Sequence, residues 1–269
     1  MEKLQAPVVY QGGKTTLAKS IIDVVNPPQE SHFYDLCAGS GAITLELLSR
    51  GFKPENIAMY DLGTMIRFWQ AVGAGTFDLD YFKSLCKPIQ EDLPSAHIRM
   101  LEIVSNPIAD EFLPYAILLL QAASFGGKQV TYDNGVWKHH GFRKYIKRLS
   151  KGKEYYDPAF KPTLPSLLNR VEKILPVAKG LQAYQQDIQT ISFKPNSIIY
   201  LDPPYTGTTG YKYTLDITRC IKQFSLPFYI SDSVPHGATC INLSEHIQEK
   251  GRLTGTATIS RTEYLSIFK

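Results

Sequence analysis

The chain has 269 residues, of which 43% are hydrophobic and 20% are charged, and its formal net charge is +4 at pH 7. This length and composition predict one large folded domain, or one domain that carries an insertion. No apolar run approaches the roughly 18 residues that span a bilayer, and the first residues lack the apolar core of a signal peptide. The four cysteines stand far apart, without a C-x-x-C pair or a histidine at ligand spacing. We therefore expect a cytoplasmic protein with no membrane, metal or disulfide.

The first motif, Tyr-Gln-Gly-Gly-Lys from Tyr10 to Lys14, precedes an apolar pattern of helical spacing. The following Gly-Lys-Thr suggests a phosphate-binding loop, but that loop needs a glycine five positions before Gly13, where Val8 stands. What remains is a pair of glycines, Gly12 and Gly13, at a predicted helix N-terminus beside Lys14. Such a site suits one small anion such as a carboxylate.

Residues 32–42 have the pattern of a strand, a glycine turn and the start of a helix, as at the opening of a nucleotide-binding βαβ unit. The turn contains Gly39 and Gly41, and the third glycine of the dinucleotide fingerprint would fall at Thr44. The acidic residue comes before the glycines, at Asp35, where it would repel a pyrophosphate. Because the same carboxylate attracts cations, a cofactor with an ammonium and a sulfonium fits better than a dinucleotide.

Residues 56–61 predict a second strand that ends in an acid, Asp61. A carboxylate at the end of the second strand of such a unit can accept hydrogen bonds from a ribose diol. An equally weighted alternative is that Asp61 only caps the helix that follows.

From residue 77 to residue 165 the alternation of strand and helix is lost, and prolines punctuate short helical pieces. An excursion of this length predicts an inserted, mainly helical subdomain, whereas residues 1–76 and 166–269 form the main domain.

The predicted insertion carries a basic segment, residues 138–153, that contains no Asp or Glu and is interleaved with aromatic residues. This composition favours a surface that contacts nucleic-acid phosphates, and a solvated helical face is the alternative. The candidate DNA contacts are Lys128, Lys138, Arg143, Lys144, Lys147 and Arg148.

The βα pattern resumes in the last third of the chain. The predicted elements are a helix over residues 164–175, a strand over 181–187 that ends in Asp187, a short helix over 187–193, strands over 198–201 and 228–232, and a closing antiparallel hairpin of residues 254–261 and 263–268 with its bend at 261–262. No internal repeat interrupts this order.

The strand over residues 198–201 runs into Asp202-Pro203-Pro204-Tyr205. Two prolines fix the backbone and remove two N–H donors, so the neighbouring carbonyls remain free to accept. The site then offers a carboxylate, a bare carbonyl and an aromatic face, which suit a planar base with an amino group. A proline-stiffened strand end with an exposed tyrosine is the alternative.

Taken in order, these segments resemble the Dam-type DNA adenine methyltransferases, a family dependent on S-adenosyl-L-methionine. The resemblance covers nearly the whole chain. It is carried by residues 10–14 and 33–41, Asp61, Asp187, residues 202–205 and residues 261–265. It implies an α/β, Rossmann-like methyltransferase fold with a mostly parallel sheet and a closing antiparallel hairpin, plus an inserted mainly helical target-recognition subdomain that meets double-stranded DNA.

The resemblance also implies residue roles. Tyr10, Gly12, Gly13 and Lys14 would hold the methionine end of the cofactor, Asp35, Gly39 and Gly41 would shape that pocket, Asp61 would bind the ribose, and Asp187 would bind the cofactor's adenine amine. The catalytic motif would consist of Asp202, Pro203, Pro204 and Tyr205. Asp202 would also border the cofactor. Asp202 and the Pro203 carbonyl would accept hydrogen bonds from the target amine, and Tyr205 would stack on the base.

These roles predict methyl transfer to the 6-amino group of an adenine flipped out of the duplex. An alternative within the enzyme class is a cytosine amine or a protein glutamine side chain, because the same acceptors serve any planar amine. A catalytically silent DNA-binding relative is the alternative from another class. The sequence favours the enzyme, since all the expected acids are present.

Overall fold

A computed structural model of the chain describes residues 3–150, 152–204, 215–237, 239–243 and 262–268. Over these ranges the chain forms eight α-helices and eleven strands. The helices are α1 (Ala18–Val25), α2 (Ala42–Ser49), α3 (Ile66–Ala74), α4 (Leu79–Glu91), α5 (Ala96–Val104), α6 (Leu113–Ala123), α7 (Leu164–Ala178) and α8 (Ile217–Gln223). The strands are β1 (His32–Leu36), β2 (Ile57–Tyr60), β3 (Thr131–Asp133), β4 (Val136–Lys138), β5 (Ile146–Ser150), β6 (Lys153–Asp157), β7 (Gln182–Tyr184), β8 (Ser197–Leu201), β9 (Phe228–Asp232), β10 (Cys240–Asn242) and β11 (Tyr264–Phe268).

Seven strands form one sheet in the order β10-β11-β9-β8-β1-β2-β7. Strands β9, β8, β1, β2 and β7 are parallel, and β11 is antiparallel to both of its neighbours. This confirms the predicted mixed α/β architecture with a mostly parallel sheet. The antiparallel partners of β11 in the described chain are β9 and β10, and the predicted hairpin strand over residues 254–261 lies outside the described residues.

The central strands form because their residues are apolar on both faces, as expected for parallel strands covered on both sides. Side chains at alternate positions enter two cores: Phe33 and Tyr200 face the larger one, and Tyr34 and Leu201 face the smaller one. The larger core includes residues of α1, α2, α3, α6 and α7. The smaller core is covered by α8 and residues 188–193.

The chain order of the strands reverses between β1 and β8. From β1 the chain adds β2 and β7 on one side, and then crosses to add β8 and β9 on the other. Strands β1 and β8 end together, since Leu36 is the register partner of Leu201 and the Leu36 carbonyl accepts from the Asp202 N–H at 3.1 Å. In open α/β sheets a ligand crevice forms beyond the carboxyl ends of the strands at such a reversal.

Residues 77–165 contain α4, α5 and α6 and two hairpins, β3–β4 and β5–β6. All eleven residues of α6 are buried, and its side chains belong to the same core as those of α3 and the sheet. Pro88 does not end a helix as the sequence pattern suggests, because it lies inside α4 on the exposed side. There water can bind the helix carbonyl that the missing N–H leaves unpaired.

Within the described ranges, no helix combines the length and the apolar character that crossing a membrane requires.

Candidate functional site

A cleft of about 250 Å³ opens at the carboxyl edge of the sheet, beside the reversal between β1 and β8. It brings together residues that are far apart in sequence because β1, β2, β7 and β8 all end at this edge. The predicted cofactor and catalytic residues that line it are Tyr10, Gly12, Gly13, Lys14, Asp35, Gly39, Asp61, Asp187, Asp202, Pro203 and Pro204. Tyr205 lies outside the described residues.

The glycine turn after β1 is shaped by backbone in the left-handed region, with φ of 50° at Gly39 and 76° at Gly41. A side chain at Gly39 would meet the Tyr10 ring at 3.2 Å, so the backbone itself faces the cleft there. Gly41 does not line the cleft. A Cβ at Gly41 would lie 2.3 Å from Cζ2 of Trp69, so this glycine is required by packing under the turn.

Asp61 joins the two loops that follow β1 and β2. Its carboxylate accepts from the Gly39 N–H at 2.8 Å and from the Gly63 N–H at 2.6 Å. Burial raises the pKa of Asp61, and the two backbone bonds oppose that rise. The N-cap of α3 is Met65, so the helix-cap alternative for Asp61 is wrong.

Asp35 lies beneath the glycine turn and is 1% exposed. Its carboxylate accepts from the Thr44 hydroxyl at 2.7 Å and from the Thr44 N–H at 3.3 Å. Burial raises the pKa of Asp35 to about 7, although these two hydrogen bonds act in the opposite direction. At neutral pH this side chain can therefore hold or release a proton.

Lys14 is 3% exposed, and its ammonium is shared by two carboxylates. Nζ lies 2.6 Å from Oδ1 of Asp202 and 3.4 Å from Oε1 of Glu263, and it donates to the Gly12 carbonyl at 3.1 Å. Burial alone would lower the pKa of Lys14, but Asp202 and Glu263 more than offset it and the pKa is raised. The ammonium is thus directed at protein carboxylates. Since α1 begins only at Ala18, the glycines do not form the helix-terminal anion site that the sequence suggests.

Asp202 is the carboxylate at the end of β8. Burial raises its pKa to about 6, while the charge and hydrogen bond of Lys14 oppose the rise. Ser231 in the neighbouring strand donates to Oδ1 of Asp202 at 3.4 Å, and the hydroxyl of Tyr200 lies 2.5 Å from that of Ser231. The carboxylate is therefore held by groups from two distant parts of the chain, Lys14 and Ser231.

Asp187 lines the same cleft as the glycine turn and is exposed. It caps a short 3-10 helix, Ile188–Thr190, through a hydrogen bond from the Gln189 N–H at 2.9 Å. The buried Ile188 provides apolar surface next to it.

None of the predicted DNA-contact residues lines the cleft. The basic segment begins in β4 and ends in the hairpin β5–β6, whose first strand is Ile146–Ser150, where a helical face was the alternative. Lys147 pairs with Glu154 at 2.6 Å, and Arg148 pairs with Asp157. The acid-free segment is thus partly neutralised by acids that follow it on the partner strand. Arg143 is half-buried, and burial lowers the pKa of its guanidinium. Lys128 is also half-buried, whereas Lys138 and Lys144 are exposed.

Sequence reasoning missed several groups at the site, notably Tyr200, Ser231 and Gln129. Tyr200 and Ser231 point to the same face of adjacent strands as Asp202, and strand alternation could have indicated them. Nothing in the sequence pattern points to Gln129. Among the described residues, no group of three or more His, Cys, Asp or Glu side chains is arranged to hold a metal ion.

The chain matches no protein-family model and no curated protein.

Proposed function

We propose that this protein is a DNA methyltransferase that moves a methyl group from S-adenosyl-L-methionine to the 6-amino group of an adenine flipped out of the duplex. The observation that carries the proposal is the position of Asp202. It is a half-buried carboxylate just beyond the carboxyl end of β8, next to two prolines, in the same cleft as Asp35 and Asp61.

The charges of the cleft support the choice of cofactor. Of the described residues that line it, four are acidic, and the basic one, Lys14, is already paired with Asp202. Such a lining favours a ligand with cationic groups over a phosphate-bearing one. S-adenosyl-L-methionine supplies an activated methyl group on a cationic sulfur. Gly39, Asp61 and Asp187 would hold it, with Ile188 against its adenine.

The acceptors at the strand end act on the target amine. Asp202 and the Pro203 carbonyl can accept its two N–H groups and so orient the nitrogen lone pair, which is positioning and electrostatic stabilisation. The amine must also lose a proton. A carboxylate whose pKa burial raises to about 6 is a better proton acceptor than an ordinary aspartate at neutral pH.

Residues 77–165 would form the target-recognition unit on this proposal, with double-stranded DNA as its partner. Support comes from the exposed hairpin β5–β6, which presents Lys147 and Arg148 beside the exposed rings of Tyr155 and Tyr156, and from the exposed Lys144 just before β5. Basic and aromatic side chains together suit phosphates and unstacked bases. Extruding a base costs a few kcal/mol of stacking, which such contacts can offset.

The test is mass spectrometry of DNA incubated with the purified protein and isotopically labelled S-adenosyl-L-methionine. We expect label on the 6-amino group of adenine with the wild type and none with Asp202→Ala. Label on cytosine, or on a protein glutamine, would replace adenine as the target. Absence of label on all three would overturn the methyltransferase proposal.

A further inference from the structure

Gln129 lines the cleft although it belongs to the segment between α6 and β3. The side chain is 8% exposed, and its Nε2 donates to the Tyr10 hydroxyl at 2.8 Å. The Tyr10 ring in turn lies against the glycine turn at Gly39. One buried amide from residues 77–165 therefore supports the wall of the cleft that the cofactor would touch.

The same amide meets the loop that follows β2. A Cβ at Gly63 would lie 2.5 Å from Nε2 of Gln129 and 2.9 Å from Oδ1 of Asp61, so only glycine leaves room for the glutamine amide there. Gly63 also donates its N–H to Asp61. Gln129 thus lies between the two cleft residues that come from different loops, Tyr10 and Asp61.

The segment that carries Gln129 is fixed by a second buried glutamine, Gln121 of α6. Its Nε2 donates to the carbonyls of Val9, Gly127 and Lys128 at 3.2, 3.1 and 3.2 Å, and its Oε1 accepts from the Val130 N–H at 3.1 Å. These bonds join residues 127–130 to the N-terminal segment that precedes Tyr10. A displacement of one segment must therefore displace the other.

Two further hydrogen bonds, each donated by a backbone N–H, extend this connection on either side. The Gln11 N–H donates to the Gly127 carbonyl at 2.9 Å, and the Tyr132 N–H donates to the Thr64 hydroxyl at 2.6 Å. The first ties the segment to the wall at Tyr10, and the second ties β3 to the loop beyond Asp61.

We infer that Gln129 is a positioning residue that couples cofactor binding in the cleft to DNA binding at Lys128 and the adjoining hairpins. This inference rests on the proposed function. A ligand against Tyr10 and Asp61 fixes Gln129, which directly follows Lys128 in the segment that Gln121 holds. By thermodynamic linkage, DNA bound at that segment must strengthen cofactor binding by the same factor.

The experiment measures the affinity of S-adenosylhomocysteine, which cannot react, by calorimetry with and without a duplex that the wild type methylates. We expect the duplex to strengthen binding by at least about fivefold in the wild type, within the usual range of such coupling. Gln129→Met keeps the length of the side chain and removes the donor. In that variant the ratio of the two affinities should fall to within about twofold of one.

Gln186→Met is the matched control, because Gln186 lines the same cleft but donates to Thr190 at 3.1 Å and not to residues 121–132. Its ratio should equal that of the wild type. Tyr10→Phe removes the same hydrogen bond from the other partner, so it should abolish the coupling even if Gln129→Met does not fold.

A wild-type ratio of one, or a Gln129→Met protein that folds and keeps the wild-type ratio, would overturn the inference while leaving the proposed function intact. Equal loss of coupling in Gln186→Met would also overturn it. A wild type that binds neither S-adenosylhomocysteine nor DNA would instead refute the proposed function.

Discussion

At the residue scale, the cleft depends on carboxylates that burial makes easier to protonate. Asp202 and Asp35 have pKa values raised to about 6 and about 7, and in both cases burial is the largest cause. Hydrogen bonds from Lys14 to Asp202 and from Thr44 to Asp35 oppose the effect without cancelling it. The chemistry and the stability of the protein should therefore both change with pH between about 5 and 8.

We predict that methyl transfer requires the ionised form of Asp202. Because its pKa is raised to about 6, kcat/KM should fall about tenfold per pH unit below that value. Asp202→Asn should lose at least about a hundredfold at all pH values, since an amide oxygen accepts more weakly than a carboxylate and no charge stabilises the transition state. The measurement is the pH profile of kcat/KM on a duplex substrate.

Two variants should move the acid limb of that profile in opposite directions. Ser231→Ala removes a donor to Asp202, which favours the protonated carboxyl and moves the limb to higher pH. Glu263→Gln removes a nearby negative charge and moves it to lower pH. A limb that stays in place in both variants would assign the titration to another group.

A second residue-scale prediction concerns Asp35 and stability. Its folded pKa of about 7 is above the ordinary value of 3.8, so its stabilising contribution is complete below about pH 4 and is lost as pH rises through 7. The free energy of unfolding should therefore fall by roughly 2–3 kcal/mol between pH 5 and pH 8 from this group alone. Asp35→Asn keeps an acceptor for Thr44 and removes that share of the pH dependence.

Urea denaturation of both proteins at pH 5 and pH 8 provides the measurement. The control is Asp23→Asn, since Asp23 is a half-exposed carboxylate with a lowered pKa, held by Lys19 and Arg50. That variant should retain the wild-type fall in stability over this range. If Asp35→Asn retains it as well, the carboxyl of Asp35 titrates near its ordinary value.

At the element scale, the hairpin β5–β6 places opposite charges on its two strands. Lys147 and Arg148 on β5 face Glu154 and Asp157 on β6, and all four side chains are substantially exposed. Exposed pairs of this kind contribute only about 0–1 kcal/mol each, so phosphates can replace the carboxylates. On the proposed function, these two acids would therefore reduce the affinity of the hairpin for DNA.

We predict that Glu154→Gln combined with Asp157→Asn strengthens DNA binding at low salt. Releasing two cations should steepen the slope of log affinity against log salt by nearly two, at about 0.9 per phosphate contact. Changing Lys144, Lys147 and Arg148 to Gln should make it shallower by nearly three. Binding measured from 50 to 200 mM salt tests both, and Asp23→Asn on α1 should leave the slope unchanged. Unchanged slopes in both hairpin variants would show that DNA does not touch this hairpin.

The elements that the sequence predicts well are those buried on both faces. Residues 228–232 coincide with β9, and the strand expected over 198–201 lies within β8, because buried parallel strands are continuous apolar runs. Hairpin β5–β6 was not predicted, since its strands are exposed and mostly polar. Its charges looked unpaired because the neutralising acids begin at Glu154, one residue after the basic segment ends.

The candidate site likewise contains residues that the sequence predicts and contacts that it does not predict. Asp35, Asp61 and Asp202 were predictable because each stands at or just beyond the end of a readable strand, and parallel strands end at one edge. The pairing of Lys14 with Asp202 joins positions 188 residues apart, and the bond from Gln129 to Tyr10 joins positions 119 apart. Periodicity and local motifs carry no information on which side chains meet over such separations.

At the scale of the whole molecule, the predicted main domain and the predicted insertion share the larger of the two hydrophobic cores. Phe68 and Trp69 of α3 belong to it together with Leu118 of α6, and all three side chains are completely buried. The helix α6 lies within the predicted insertion, whereas α3 belongs to the predicted main domain. A boundary at residue 77 therefore divides the sequence without dividing the core.

This shared core predicts that residues 77–165 and the sheet unfold together. Leu118→Ala should lower the free energy of unfolding by about 2–5 kcal/mol through lost burial and a cavity. Because α6 packs against α3, the loss should appear equally in both parts of the protein. An insertion that folds independently would instead unfold at its own midpoint.

The chain's two tryptophans allow the two parts to be followed separately, since Trp69 lies in α3 and Trp137 in β4. With Trp137→Phe the fluorescence reports the region around the sheet, and with Trp69→Phe it reports residues 77–165. We expect the two proteins to show a single urea transition with the same dependence on Leu118→Ala, because cooperative unfolding couples all residues of one core. A Leu118→Ala shift confined to the Trp137 signal would show that the segment is a separate folding unit. The same shift in both signals would mean that residues 77–165 and the cleft are stabilised by the same packing.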